Sequence, residues 1–153
     1  MMDVVLRKAR SDDLPAIVGL LADDGLGNGR EDARLPLDQA YVSAFDALDG
    51  DPNQLLVVAQ QGEMIVATMQ LTFIVGISRK GAWRGQIEAV RVAVSHRGSG
   101  LGQRMFEFAI QESRSRGCSL VQLTTDKTRE DAHRFYDRLG FVASHIGYKL
   151  KLD

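Results

Sequence analysis

Branched apolar runs and helical apolar stripes succeed one another along this chain. VVLRKA, Val4 to Ala9, suits a first strand, and LPAIVGLLA then repeats apolar residues at helical spacing, with Ser11, Asp12 and Asp13 offering capping side chains ahead of it. DDGLGNGRED, Asp23 to Asp32, gathers glycine and acid into a turn-rich loop, and PLDQAYVSAFDAL restores a helical pattern with Pro36 at its start. QLLVVAQ and EMIVATMQLTF, separated by Gln61 and Gly62, read as two antiparallel strands of a hairpin. GQIEAVRVAV predicts a fourth strand, and the helix after it places Leu101, Met105, Phe108 and Ala109 along one face.

CSLVQLTTD predicts a fifth strand. Thr128 and Asp131 then match a capping-box spacing, Ala132, Phe135, Tyr136 and Leu139 share a helical face, and Gly140 is the natural stop. FVASH reads as a sixth strand, and YKLKL, which alternates Tyr148, Leu150 and Leu152 with Lys149 and Lys151, as a half-exposed seventh. The order implies an α/β (α+β) arrangement, a mixed sheet covered by helices, in which the fourth strand, its helix and the fifth strand form a parallel crossover unit.

Size and balance change this picture little. At 153 residues, 44% hydrophobic and 25% charged, the chain reads as one domain over residues 1–153. Nineteen basic and twenty acidic residues leave a net charge of −1, so no cationic field marks a nucleic-acid or membrane binder. No apolar run approaches the roughly 18 residues of a membrane span, and MMDVVLRKARSDDL lacks the apolar core of a signal peptide, so a cytoplasmic location is expected. The single cysteine, Cys118, cannot form an internal disulfide and reads as a small core thiol.

The candidate chemistry begins where the fourth strand runs into VAVSHRGSGLGQRMF, Val92 to Phe106. The first turn of a helix has N–H groups without intrahelical partners and a partial positive charge, so it can receive an anion. Gly98, Gly100 and Gly102 remove the β-carbons that would hold a phosphate away, and Arg97 and Arg104 can add charge at the rim. A plain glycine-rich turn accounts for the spacing equally well. Two familiar phosphate motifs do not: Gly102 is followed by Gln103 and Arg104 rather than the Lys-Ser/Thr of a P-loop, and the G-x-G-x-G spacing past mid-chain is not a dinucleotide fingerprint.

With RGSGLG after a strand and AHRFYDRLGF, Ala132 to Phe141, on a later helix, the sequence resembles the GNAT superfamily of N-acetyltransferases. The first segment is similar to the family's Arg/Gln-x-x-Gly-x-Gly/Ala motif and the second to its A-x-x-F-Y-x-x-x-G-F segment. The resemblance implies a mixed, mostly antiparallel seven-stranded sheet with helices on both faces and a splayed central strand pair. It implies acetyl-CoA as cosubstrate. Backbone groups of Val90, Arg91 and Val92 would run beside the pantetheine arm, and the amides of the crossing, Arg97 and Gly98 through Ser99, Gly100, Leu101, Gly102 and Gln103, would surround the pyrophosphate. It implies a homodimer as the assembly to expect. One departure stands out: Arg129 lies where family members often carry an asparagine seven residues before the tyrosine.

The reaction so implied moves acetyl to a primary amine of a small molecule or peptide. A lysine-type amine has a pKa of about 10.4 and must lose a proton to attack a thioester. Glu88, on the fourth strand with the same side-chain parity as Val90 and Val92, is a candidate base, and a solvated strand carboxylate is the plain alternative; Tyr41 and water are other candidates. The resemblance sets Tyr136 beside the coenzyme A sulfur as proton donor, whereas helix periodicity alone makes it a packing residue beside Phe135. A strand bulge would free an amide, Val92 by this reading, to polarise the thioester carbonyl. His96, His133 and His145 show no metal-ligand spacing, so no metal is expected, and Cys118 has no adjacent His-Asp pair to activate it. Asp23, Asp24, Glu31 and Asp32 either attract a cationic acceptor or simply solvate their loop. A noncatalytic acyl-CoA-binding sensor or regulatory module, suggested by Arg129, is the alternative to an enzyme.

Overall fold

The computed structural model describes residues 3–23 and 29–153. Strands β1 Val4–Lys8, β2 Gln54–Gln61, β3 Met64–Val75, β4 Trp83–Val92 and β5 Cys118–Gln122 lie side by side in that order in one five-stranded sheet. The first three pairings are antiparallel and β4–β5 is parallel. Helices α1 Leu14–Ala22, α2 Gln39–Asp49, a short left-handed turn α3 Ser78–Gly81, α4 Leu101–Ser115 and α5 Glu130–Arg138 complete the regular structure. The β4–α4–β5 crossover has the expected parallel sense.

The sheet therefore has five strands among the described residues, not seven. FVASH and YKLKL form no strand, and residues 141–153 carry no regular structure. Alternation gives a segment the side-chain period of a strand, but a strand also needs a neighbour's backbone ladder, and none of the chain's own strands supplies one here. Smaller corrections have local causes. Helix α2 starts at Gln39 rather than at Pro36, because Asp38 caps it by accepting the Ala40 N–H at 2.9 Å. The Thr128–Asp131 capping box does not form: the Thr128 hydroxyl donates to Asp126, and Arg129 takes the cap position of α5 with no side-chain cap. Gly140 ends α5 as expected, in the left-handed conformation at φ 93°.

Two cores sit on the two faces. On one, Met105, Phe106 and Ala109 of α4 bury against Ala59, Met69, Leu71 and Ile87, all at most 3% exposed. On the other, Ile17 and Val18 of α1 and Phe45 of α2 pack on Val58. Each buried Val, Leu, Ile, Met or Phe side chain among these contributes about 1.5–3 kcal/mol. An ion pair anchors α1 to the sheet edge. Arg7 of β1 meets the buried carboxylate of Asp13 through two bonds of 2.8 and 3.0 Å, and Asp13 also accepts the Arg10 N–H at 2.7 Å. The Arg7 hydrogen bond holds the Asp13 carboxyl below its ordinary 3.8, against the opposing pull of burial.

Close approach of α4 to β4 depends on Gly85, where an added β-carbon would collide with the buried Ser113 hydroxyl oxygen and lie 3.1 Å from Ser113 Cβ. Gly85→Ala is expected to lower stability by about 1–3 kcal/mol, and Ser113→Gly in the same chain to recover part of it, read from urea midpoints. Asp13→Asn is expected to cost about 1–3 kcal/mol at neutral pH. Because the native Asp13 pKa is depressed, the difference from wild type is complete above the unfolded value of 3.8 and disappears as pH falls through the lower native value. A constant difference across that range would contradict it.

Candidate functional site

The site is built around an irregularity in β4. Thr68 pairs with Arg91 and Gln70 with Glu88, so Met69 alone on β3 faces both Ala89 and Val90. This is a β-bulge, and Ala89 adopts φ 55° to make it. A left-handed alanine costs about 1–2 kcal/mol. The extra residue also reverses side-chain parity. Before the bulge Ile87 faces α4; after it Val90 and Val92 do. Glu88 and Arg91, opposite Gln70 and Thr68, share the other face. Glu88 thus lies across the sheet from Val90 and Val92, and the parity inferred from sequence is corrected by one inserted residue. The backbone freed from the ladder is at Ala89 and Val90 rather than at Val92, and the Val90 carbonyl accepts from the Arg91 guanidinium at 2.8 Å.

Glu88 is exposed and ends a row of amide side chains. Gln54, Thr72, Gln86 and Gln122 stand opposite one another across β2, β3, β4 and β5. Thr72 donates to Gln54 Oε1 at 2.9 Å, Gln122 donates to Gln86 Oε1 at 2.9 Å, and Gln86 Nε2 donates to Glu88 Oε1 at 3.4 Å. The half-buried amides orient one carboxylate oxygen and floor this part of the face with donors and acceptors. Sequence reading missed the row: its only trace is glutamine at positions 54, 70, 86 and 122, which becomes a pattern once the strand register is known.

Past the bulge, β4 runs on to Val92 while β5 pairs only with Trp83–Gln86. The glycine crossing follows. Gly98 and Gly100 are left-handed at φ 77° and 86°, with no atom within 4 Å of a would-be β-carbon. Gly100 caps α4 without a side-chain cap, and the helix's first bond runs from Arg104 N–H to the Gly100 carbonyl at 3.2 Å. The amides of Leu101, Gly102 and Gln103 therefore lack intrahelical acceptors at the start of α4. The Leu101 side chain is core, 4% exposed, so it contributes only its amide. Both expected rim cations are engaged: Arg97 donates to the Val92 carbonyl at 3.2 Å and Arg104 to the Val4 carbonyl at 3.0 Å.

Tyr136 projects from α5 into an aromatic cluster centred on Phe106, whose ring centroid lies 5.4 Å from Phe135 and 5.6 Å from Tyr136. Phe141 completes it at 6.2 Å from Tyr136. The Tyr136 hydroxyl has no hydrogen-bond partner among the described residues. Phe106, which ties α5 to α4, was outside the helix stripe read from sequence.

Other candidates are otherwise occupied. The Tyr41 hydroxyl accepts the Asp32 N–H and donates to Glu31, both at 2.9 Å. The Asp32 bond lowers its pKa, but burial and Glu31 together raise it further, which makes Tyr41 a poor base. Asp32 is clamped by Arg34, which holds it down to about 2. Asp24 lies outside the described residues. Burial pushes the Cys118 thiol up, against a weaker pull from Arg116, so no ready thiolate stands there. His133 bonds the Asp126 carbonyl and His96 bonds Gln61. Among the described residues, no three His, Cys, Asp or Glu side chains gather as a metal site, and no helix is long and apolar enough to cross a membrane.

The model of the acetyltransferase (GNAT) family matches residues 16–141. An aminoalkylphosphonate N-acetyltransferase from Salmonella typhimurium is 32% identical over 110 residues, 72% of this chain and 71% of that protein. A glucosamine 6-phosphate N-acetyltransferase from Trypanosoma brucei brucei is 36% identical over 88 residues, 58% of each. The crystal structure of a transcriptional regulator from Bacillus halodurans C-125 shares 46% identity with a TM-score of 0.95, covering 98% of this chain and 100% of that one.

The strain at Ala89 is measurable. Ala89→Gly is expected to raise stability by about 0.5–1 kcal/mol and Ala89→Val to lower it by at least about 1 kcal/mol. Chemical denaturation giving the reverse order would remove the left-handed bulge.

Proposed function

The chain belongs to the acetyltransferase (GNAT) family, and on that premise we propose that it transfers acetyl from acetyl-CoA directly to the primary amine of a small molecule bearing a phosphate or phosphonate. That the protein is an acyltransferase using acetyl-CoA follows from the family match; direct transfer and the acceptor are the finer reading. The observation that carries it is the bulged β4 leading into the uncapped, glycine-lined start of α4, a seat for the cofactor's pyrophosphate. The acceptor class is suggested by the two curated relatives, whose names both describe amines carrying a phosphorus oxyanion. It agrees with the bulge bringing Arg91 onto the face of Glu88, where a cation beside a base suits an anionic amine.

Acetyl-CoA supplies the activated thioester. The chain's residues do the rest in this reading. Glu88, held by Gln86, takes the proton from the attacking amine, directly or through water, as the C–N bond forms. Backbone N–H at the bulge stabilises the charge developing on the carbonyl oxygen. Tyr136 gives its phenolic proton to the departing thiolate as the C–S bond breaks, and its unpartnered hydroxyl leaves it available. The apolar rings around it exclude water.

Acetyl-CoA binding by calorimetry followed by coenzyme A release with 2-aminoethylphosphonate, glucosamine 6-phosphate and their uncharged counterparts tests the proposal. Turnover is expected with phosphorus-bearing amines and at least about tenfold lower kcat/KM without the anion; equal turnover would overturn the acceptor class, and binding without release for any amine would favour the sensor reading. Glu88→Gln is expected to lower kcat by about 10²-fold or more near neutral pH, with the deficit narrowing towards the amine pKa of about 10.4. Tyr136→Phe is expected to lower kcat with acetyl-CoA affinity unchanged; wild-type turnover would remove it from the donor role.

A further inference from the structure

Glu88 stands where the sheet has least to hold it. Gln86 and Gln122 form the last registered pair between β4 and β5, and β5 ends at Gln122, so Glu88 lies two residues past the point where the strands part. The next residue, Ala89, is the left-handed one of the bulge. On the β3 side Gln70 stands opposite Glu88, but its amide donates to Gln54 Oε1 at 3.4 Å. Among the described residues the only hydrogen bond to the Glu88 carboxylate comes from Gln86, at Oε1. An exposed glutamate without such a bond spreads over many rotamers.

An amide side chain can turn either its donor or its acceptor to a neighbour, and which one Gln86 turns to Glu88 is decided behind it. A carboxylate only accepts, so it is held when Gln86 presents Nε2 and repelled when Gln86 presents Oε1. The bond from Gln86 to Glu88 is 3.4 Å long, beyond the usual N–H···O range, whereas the bond from Gln122 Nε2 to Gln86 Oε1 is 2.9 Å, at the centre of that range. The shorter bond therefore sets the orientation. By donating to Gln86 Oε1, Gln122 fixes that oxygen on the β5 side and leaves Nε2 for Glu88. All three side chains share one face, since Gln86 and Glu88 are two apart ahead of the bulge and Gln122 is the registered partner of Gln86.

We propose that Gln122 is a positioning residue for the reaction: resting on the reading of Glu88 as base, it acts through Gln86 to hold Glu88 Oε1 and leaves Oε2 for the acceptor amine. In this role it need touch neither acetyl-CoA nor acceptor. Replacing its amide with an apolar chain of similar length breaks the relay at its far end and leaves Glu88, Gln86 and the glycine crossing in place.

Steady-state kinetics on the same amines, in single and double variants, tests the relay. Gln122→Met is expected to lower kcat about three- to tenfold with KM for acetyl-CoA and the urea midpoint unchanged, and Gln86→Met to lower kcat at least as far. Neither is expected to lower kcat further in a Glu88→Gln chain, because an amide at that position both donates and accepts and no longer depends on which way Gln86 faces. Wild-type kcat in Gln122→Met beside an impaired Glu88→Gln would overturn the inference and leave the base reading standing. The same loss in both backgrounds would also overturn it, as an effect on substrate or fold. Wild-type kcat in Glu88→Gln would remove the base and the inference with it. Side-chain amide NMR reads the relay without turnover: Glu88→Gln is expected to move the signals of both Gln86 and Gln122 and to leave those of Gln54 in place. Gln122 signals unmoved by Glu88→Gln would overturn the relay whatever the kinetics.

Discussion

An extra residue in β4 governs which side of the sheet each later side chain of that strand occupies. Without Ala89 in its left-handed conformation, Glu88, Val90 and Val92 would all project to one face. With it, Val90 and Val92 join the α4 core while Glu88 and Arg91 point to the face of α1. The proposed reaction uses this division. A thioester drawn along Val90 and Val92 and an amine resting beside Glu88 approach the bulge from opposite sides, and the backbone released there lies between them. The cost of about 1–2 kcal/mol for a left-handed alanine is small beside the burial that holds β3 and β4 together.

The rest of the candidate site is arranged around that strand by packing. Gly85 lets the C-terminal end of α4 lie close to β4 at Ser113, and Gly98 and Gly100 turn the chain into the helix with nothing within 4 Å of a would-be β-carbon. Phe106 then couples α4 to α5 and sets Tyr136. On the opposite face the glutamine row orients Glu88 and leaves a hydrogen-bonding floor rather than an apolar one.

What the sequence disclosed was local in character. The glycine crossing, the Phe135–Tyr136 helix and the Gly140 stop each depend on residues a few positions apart, and all lie where the pattern put them. The bulge was not legible at its position, because alanine rather than glycine occupies the left-handed residue. The glutamine row was not legible because its members are distant in sequence and meet only through register. YKLKL failed differently: alternation reports a side-chain period and says nothing about whether a neighbouring backbone is there to pair with it. The acids of the early loop were readable as charges, but not as partners of Tyr41 and Arg34.

The central claim is that the bulge separates a donor side from an acceptor side. Two-dimensional amide NMR during titration with acetyl-CoA tests it most directly. The account predicts shifts at Ala89, Val90, Val92 and Gly98 through Gln103, with the side-chain amide signals of Gln54 and Gln70 unmoved. Shifts concentrated on those glutamines, with the glycine crossing silent, would contradict it.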